Sequence, residues 1–181
     1  MIKPGIFKKV IIIIFQLSVL YFLSCELHAQ SNWTKLEYYF NVGSLPPPYH
    51  YSYTITLNTD GAGELVYTKG YTYDDKNTSR YSFELDNEKL KNLKNAVKES
   101  DVLNLDIETL PNEEIPDGGH SDELKIYGVE NDGVSEDVIL LKTVPIYPEL
   151  KYETILNTLY KVIENSVPDD IWKEVNSKRD N

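Results

Sequence analysis

Residues 49–73 decide the fold of this chain, and they read YHYSYTITLNTDGAGELVYTKGYTY. Apolar and polar residues alternate on both sides of the glycine-containing segment 59–63, which is the pattern of a β-hairpin. Because a slip of one residue would turn every side chain to the opposite face, apolar residues should pair with apolar residues. The sequence therefore predicts that Leu57 faces Leu65, with a bulge at Gly63 as the alternative that shifts this pairing by one.

The apolar face of this hairpin changes along its length, from aliphatic residues near the turn to tyrosines far from it. Tyrosine suits positions where one end of the ring is buried and the other meets water or a partner, and it is enriched at binding surfaces. We therefore predict a binding surface for a protein or a glycan; the alternative is that these rings only cover the end of the core. The predicted binding residues are Tyr49, Tyr51, Tyr53, Tyr71 and Tyr73, with Tyr51 opposite Tyr71.

The rest of the chain predicts an α+β fold, with a single antiparallel sheet of about five strands and two helices on one face, in the order β-ββ-α-ββ-α. Alternation predicts a first strand at 33–42 and a second hairpin formed by 122–129 and 136–144. Residues 81–85 have the composition of a short strand. A hairpin precedes each helix, which fits either an internal duplication or two unrelated hairpins.

Two amphipathic segments predict the helices, one at 87–100 with Asp86 as its N-cap and one at 149–165. The run 138–141 is apolar at every position, which predicts a strand in the interior of the sheet. The end of the chain, 169–181, predicts a short docked turn followed by a fraying terminus.

Residues 1–29 have the organisation of an export leader. Lysines precede an apolar run at 10–23, which is short for a membrane span and typical of a signal peptide. Leu27 and Ala29 suit cleavage after Ala29, which leaves Gln30 at the N-terminus. We therefore expect residues 1–29 to be removed and residues 30–181 to form one domain of an exported protein, periplasmic or secreted.

Two alternatives to this cleavage remain open. The segment 22–25 resembles a bacterial lipobox, although leucine stands one position closer to the cysteine than is usual. In that case Cys25 would be lipidated and the protein would be a membrane-anchored lipoprotein. In the second alternative, the leader is not cleaved and anchors the protein in the membrane.

Charge and cysteine content limit the possible functions. The leader carries three lysines and one glutamate, so its removal takes the formal net charge from −11 to −13. Such an acidic domain does not attract nucleic acid or an anionic membrane through its overall field. Cys25 is the only cysteine, so a chain cut after Ala29 has no disulfide, thiol nucleophile or thiolate metal site.

The most chemically suggestive segment is the acidic loop 112–123, which contains carboxylates and His120. Its spacing does not match the twelve-residue calcium loop, so we expect a solvated loop, no metal site and no cofactor. Motifs for a nucleophile, a zinc protease or a phosphate loop do not occur in the sequence, and His50 reads as a solvated strand histidine. We expect no catalytic residues, and a non-catalytic binding, inhibitor-like or envelope-structural module. The alternative is a hydrolase or metal-dependent enzyme that uses loop 112–123.

Overall fold

Six strands pair in one antiparallel sheet in the computed structural model, which describes residues 33–131 and 136–180. The strand order across the sheet is β4-β3-β2-β1-β5-β6. The predicted leader and Cys25 lie outside the described residues. The strands are β1 (Trp33–Asn41), β2 (Tyr51–Asn58), β3 (Ala62–Lys69), β4 (Thr78–Glu84), β5 (Ser121–Asn131) and β6 (Glu136–Val144).

Helices cover one face of this sheet, which we call the helix face. They are α1 (Asn87–Glu99), α2 (Glu153–Ser166) and α3 (Asp169–Asp180). The core lies between the helices and the alternate side chains of the strands, among them Leu36, Ile55, Leu65, Leu124 and Ile126. The other face, which we call the open face, is largely polar and carries ion pairs such as Lys35–Glu37 and Lys125–Glu123. The α+β class and the single antiparallel sheet are thus confirmed, whereas the described residues contain one strand and one helix more than predicted.

The β2–β3 hairpin has the predicted faces but a different register. Leu57 faces Gly63 and Ile55 faces Leu65, a shift of two residues that keeps the paired residues of β2 and β3 on their predicted faces. The connection is shorter than expected because Gly61, with φ +102°, closes the turn directly after Asp60. The predicted Leu57–Leu65 pair is therefore wrong.

Gly63 can stand opposite Leu57 because a side chain of β4 lies over the glycine. A Cβ atom at Gly63 would lie 2.3 Å from the ring of Phe83, its partner on β4. The Phe83 ring thus occupies the space that a side chain at position 63 would need, a common way to stabilise a glycine in a sheet. This contact explains how the hairpin tolerates a register that pairing rules alone do not select.

β6 is an edge strand, so the prediction of an interior strand is wrong. The pairing with β5 shifts between Ile126–Lys142 and Tyr127–Leu140, which leaves Leu141 as an extra residue. Val138 and Leu140 consequently lie on the open face, where they are 65% and 53% exposed. A continuous apolar run indicates an interior strand only where both faces of the strand are covered, and here one face is open to solvent.

The chain ends in a third helix where a fraying terminus was predicted. Ile171 and Val175, four residues apart, are buried against the sheet. Acidic residues in the first turn and basic residues in the last complement the helix dipole, and Lys69 Nζ donates to the carbonyl of Lys178 at 3.1 Å. Among residues 33–131 and 136–180, no helix has both the length and the apolar character that a bilayer span requires.

The other two helices lie close to their predicted positions. The Asp86 N-cap is confirmed, since its carboxylate accepts the N–H of Lys89 at 2.8 Å. α2 begins at Glu153 and not at residue 149, because Leu150–Tyr152 form a 3-10 turn before it.

We predict that β6, as an edge strand, tolerates a charged side chain at an exposed position of the open face. Leu140→Lys should change the free energy of unfolding by no more than about 0.5 kcal/mol, because residue 140 is already largely in water. The matched substitution Ile126→Ala, in the core on neighbouring β5, should cost about 2–5 kcal/mol. Urea unfolding of both variants measures the difference, and equal losses would contradict the edge assignment.

Candidate functional site

The predicted binding tyrosines divide into two groups because β3 ends at Lys69. Gly70 has φ +74°, which glycine adopts without strain, and its N–H donates to the carbonyl of His50 at 2.7 Å. Tyr51 therefore faces Lys69, and the predicted pairing of Tyr51 with Tyr71 is wrong. Tyr51 and Tyr53 lie on the helix face of β2, while Tyr49, Tyr71 and Tyr73 lie in loops outside the strands.

An exposed apolar surface forms at this end of the sheet, and we call it the tyrosine patch. It consists of Leu45, Tyr49, Tyr71 and Tyr73, which are 40%, 68%, 52% and 68% exposed. The Tyr71 hydroxyl donates to the carbonyl of Leu45 at 2.7 Å. The Tyr73 hydroxyl lies 3.4 Å from Oγ of Ser52 on the open face. Local contacts therefore hold two of the three tyrosines in defined positions.

His50 supports this patch from below, and the expectation of a solvated histidine is wrong. Only 3% of it is exposed, and its ring stacks on Tyr71 with the centroids 3.7 Å apart. Its Nδ1 lies 2.8 Å from the carbonyl oxygen of Gly70. Because a carbonyl only accepts, Nδ1 carries the proton and donates it. The imidazole is thus part of the scaffold that orients Tyr71.

A tyrosine–carboxylate cluster connects the sheet to α2, and in it the two tyrosines are buried and the two carboxylates are half-buried. The Tyr53 hydroxyl donates to Oε1 of Glu164 at 2.5 Å. The Tyr38 hydroxyl donates to Oδ1 of Asp122 at 2.5 Å and lies 3.5 Å from the same Glu164 oxygen. These residues come from β1, β2, β5 and α2, so the cluster fixes α2 over the end of the sheet.

Burial dominates the electrostatics of this cluster. It raises the pKa of Asp122, although the hydrogen bond from Tyr38 and the nearby His120 act in the opposite direction. Burial, reinforced by the neighbouring carboxylates, also raises the pKa of Tyr38 and Tyr53, so both hydroxyls stay protonated donors. Since the folded state binds the Asp122 proton more tightly than the unfolded chain, this group makes the fold less stable as pH rises from the ordinary carboxyl pKa through the raised value.

Tyr160, beside the cluster, makes no hydrogen bond through its hydroxyl to the described residues. Tyr160 stacks on Tyr38 with the ring centroids 4.9 Å apart. Its hydroxyl is buried and has no hydrogen-bond partner among the described residues, and the same is true of Tyr67. Such a hydroxyl loses its hydration without a replacement, which costs free energy.

A cleft of about 280 Å³ opens beside the cluster, between α3 and the start of β2. Trp172 is fixed there because its Nε1 donates to the carbonyl of Glu164 at 3.0 Å, and its ring meets Tyr53 edge to face at 5.2 Å. The Arg179 guanidinium lies 5.7 Å from the centroid of Tyr51. The lining residues are Tyr51, Tyr53, Glu164, Asn165, Trp172, Val175, Asn176 and Arg179.

A larger groove, of about 520 Å³, lies between α1 and α2. Asparagine, threonine and lysine side chains make up most of its polar lining, and it contains no aromatic side chain. Ligand sites generally combine apolar or aromatic walls with a few converging polar groups. Unlike the larger groove, the smaller cleft has aromatic walls, from Tyr51, Tyr53 and Trp172, and we therefore regard it as the better candidate despite its size.

The acidic loop 112–123 does not gather its charges at one point. Its carboxylates up to residue 117 are exposed, and only its last part reaches the cluster, through Asp122. Nε2 of His120 lies 3.4 Å from Oδ2 of Asp122. In the part of the chain that the structure describes, no group of three or more His, Cys, Asp or Glu side chains is placed to hold a metal ion.

Comparison of the sequence with known protein families and with curated proteins finds no match. Two of the tyrosines selected by residue patterns, Tyr51 and Tyr53, line this cleft, and their role in binding stays a prediction. The patterns did not identify the other residues that define the cleft, Glu164, Trp172 and Arg179. Glu164 follows Ile163 at the edge of the apolar stripe of α2, and that position was the only available signal that its carboxylate could face inward.

We predict opposite effects for two neighbouring hydroxyl deletions. Tyr38→Phe removes the donor to Asp122 and should cost about 1–3 kcal/mol of unfolding free energy. Tyr160→Phe removes a hydroxyl that has no partner and should leave stability unchanged or raise it by up to about 1 kcal/mol. Urea unfolding at neutral pH measures both, and the two rings stack on each other, so each variant is the control for the other. Equal losses would contradict the hydrogen-bond assignment.

Proposed function

We propose that this protein is an exported, non-catalytic binding module and that the tyrosine patch receives a protein partner. Tyr49 and Tyr73 are each 68% exposed, whereas most other aromatic side chains among the described residues are buried or half-buried, and this exposure supports the proposal. Soluble proteins seldom leave a group of large apolar rings in water without use. Tyrosine, moreover, is among the residues that dominate binding energy at interfaces.

The construction of the patch supports this use. Tyr71 is fixed by its bond to the Leu45 carbonyl and by its stack on His50. A ring that is already ordered loses little conformational entropy on binding. Prolines 46–48 precede Tyr49 and restrict the backbone next to it. The patch is therefore organised before a partner arrives.

The surroundings of the patch also resemble an interface. Asp74, Asp75 and Lys76 are exposed directly after Tyr73. An apolar centre with a charged rim is the usual anatomy of a protein–protein contact. The acidic net charge, −11 for the full sequence and −13 without residues 1–29, favours a partner with a basic rim, because complementary charge speeds association.

The second function considered, a hydrolase or metal-dependent enzyme at loop 112–123, has weaker support. Asp122, which is half-buried, accepts a hydrogen bond from Tyr38, and the carboxylates up to residue 117 are exposed. A general acid or base must reach a substrate atom directly or through one water. The geometry therefore favours binding over catalysis.

The experiment that tests this function uses a photo-crosslinking residue at position 73 in the exported protein. The crosslinked protein is identified by mass spectrometry, purified and titrated against the wild type and the variants. We expect Tyr73→Ala and Tyr49→Ala to weaken binding at least about tenfold without lowering the melting temperature, because both rings are largely in water.

Leu150→Ala serves as the matched control, since Leu150 is equally exposed, at 67%, but lies before α2 and outside the patch. It should leave the dissociation constant unchanged. Unchanged affinity in the two tyrosine variants, or a strong loss of melting temperature in both, would contradict a binding role for the patch.

A further inference from the structure

Trp172 gives the cleft beside α3 a flat apolar wall. Its indole N–H is already bonded to the Glu164 carbonyl, and its ring is braced edge to face by Tyr53, so the side chain cannot turn freely. The residue remains half-buried, which leaves part of the indole open to the cleft. The face of an aromatic ring carries partial negative charge and accepts polarised C–H groups of a ligand.

Three polar groups along this wall have hydrogen-bonding capacity that the described residues do not use. The amides of Asn165 and Asn176 make no side-chain hydrogen bond there, and each offers both donors and an acceptor. Glu164 engages the tyrosine hydroxyls through Oε1, and Oε2 remains without a partner in the described residues. A ligand in the cleft would therefore meet donors and acceptors together.

One acidic and one basic residue, Glu164 and Arg179, line the cleft, and both also contact neighbouring residues. Oε1 of Glu164 accepts from Tyr53 and lies near the hydroxyl of Tyr38. The guanidinium of Arg179 lies over the ring of Tyr51, and its Nε donates to Asp180 at 3.4 Å. Because these two charges are opposite, the cleft offers no net charge that would favour an anion or a cation over a neutral ligand.

We propose that this cleft binds the ring of a neutral sugar, as a site separate from the tyrosine patch. A pyranose presents C–H groups on one face and hydroxyls around its rim, which match an indole wall edged by two amides and one carboxylate oxygen. The volume of about 280 Å³ lies just below the ~300–1000 Å³ typical of ligand pockets. It accommodates one ring, with the rest of a glycan chain in solvent.

The test is a titration of the exported protein with a panel of neutral hexoses and N-acetylhexosamines at millimolar concentrations. Binding is followed by saturation-transfer NMR and by tryptophan fluorescence, to which Trp172 contributes from the cleft and Trp33 from the core. We expect at least one sugar to bind saturably. Asn176→Ala should weaken that sugar about tenfold or more, because it removes a hydrogen-bonding group from the exposed surface of α3 without altering the core.

Asn157→Ala is the matched control, since Asn157 is exposed on α2 and does not line the cleft. It should leave sugar binding unchanged, as should Tyr73→Ala in the tyrosine patch. Glycine, choline and inorganic phosphate serve as charged probes and should not bind. The proposal is overturned if no sugar in the panel binds, if Asn176→Ala binds as well as the wild type, or if a charged probe binds in place of the sugars.

Discussion

The hydrogen bond from Tyr53 to Glu164 is the interaction on which the arrangement of this protein depends. Glu164 projects from α2 towards the sheet, where its half-buried carboxylate needs a hydrogen-bond donor to replace lost contacts with water. The Tyr53 hydroxyl, at 2.5 Å, supplies that donor. The backbone of the same residue accepts the indole N–H of Trp172, so one residue of α2 fixes both the sheet below it and α3 beside it.

Both candidate binding surfaces follow from this arrangement and from the alternation of β2. Tyr51 and Tyr53 point to the helix face, where they border the cleft under α3. His50 and Ser52 point the other way, where they support Tyr71 and Tyr73 of the tyrosine patch. Residues 50–53 thus contribute to two surfaces on opposite sides of the sheet, because successive side chains alternate. Substitutions on one side can therefore be tested with little effect on the other.

The faces of side chains within a strand could be predicted well from the sequence, whereas strand register and contacts between distant parts of the chain could not. The faces of β2 and β3 follow from alternation, which is local, so Ile55 and Leu65 were placed correctly even though their pairing was not. The register depended on Phe83 of β4 covering Gly63, a contact between distant parts of the chain. Glu164 was missed for the same reason, since its donors lie on β1 and β2. In α3 the signals were local, with buried Ile171 and Val175 four residues apart, but they were too few to outweigh the polar composition.

A double-mutant cycle measures how strongly Tyr53 and Glu164 stabilise each other. Tyr53→Phe removes the donor and Glu164→Leu removes the acceptor, and urea unfolding gives the free energy for each single variant and for the pair. We expect a coupling energy of about 1–3 kcal/mol, because each single variant leaves one polar group without its partner and the double variant leaves none. A coupling energy within the roughly 0.3–0.5 kcal/mol expected of independent sites would contradict it.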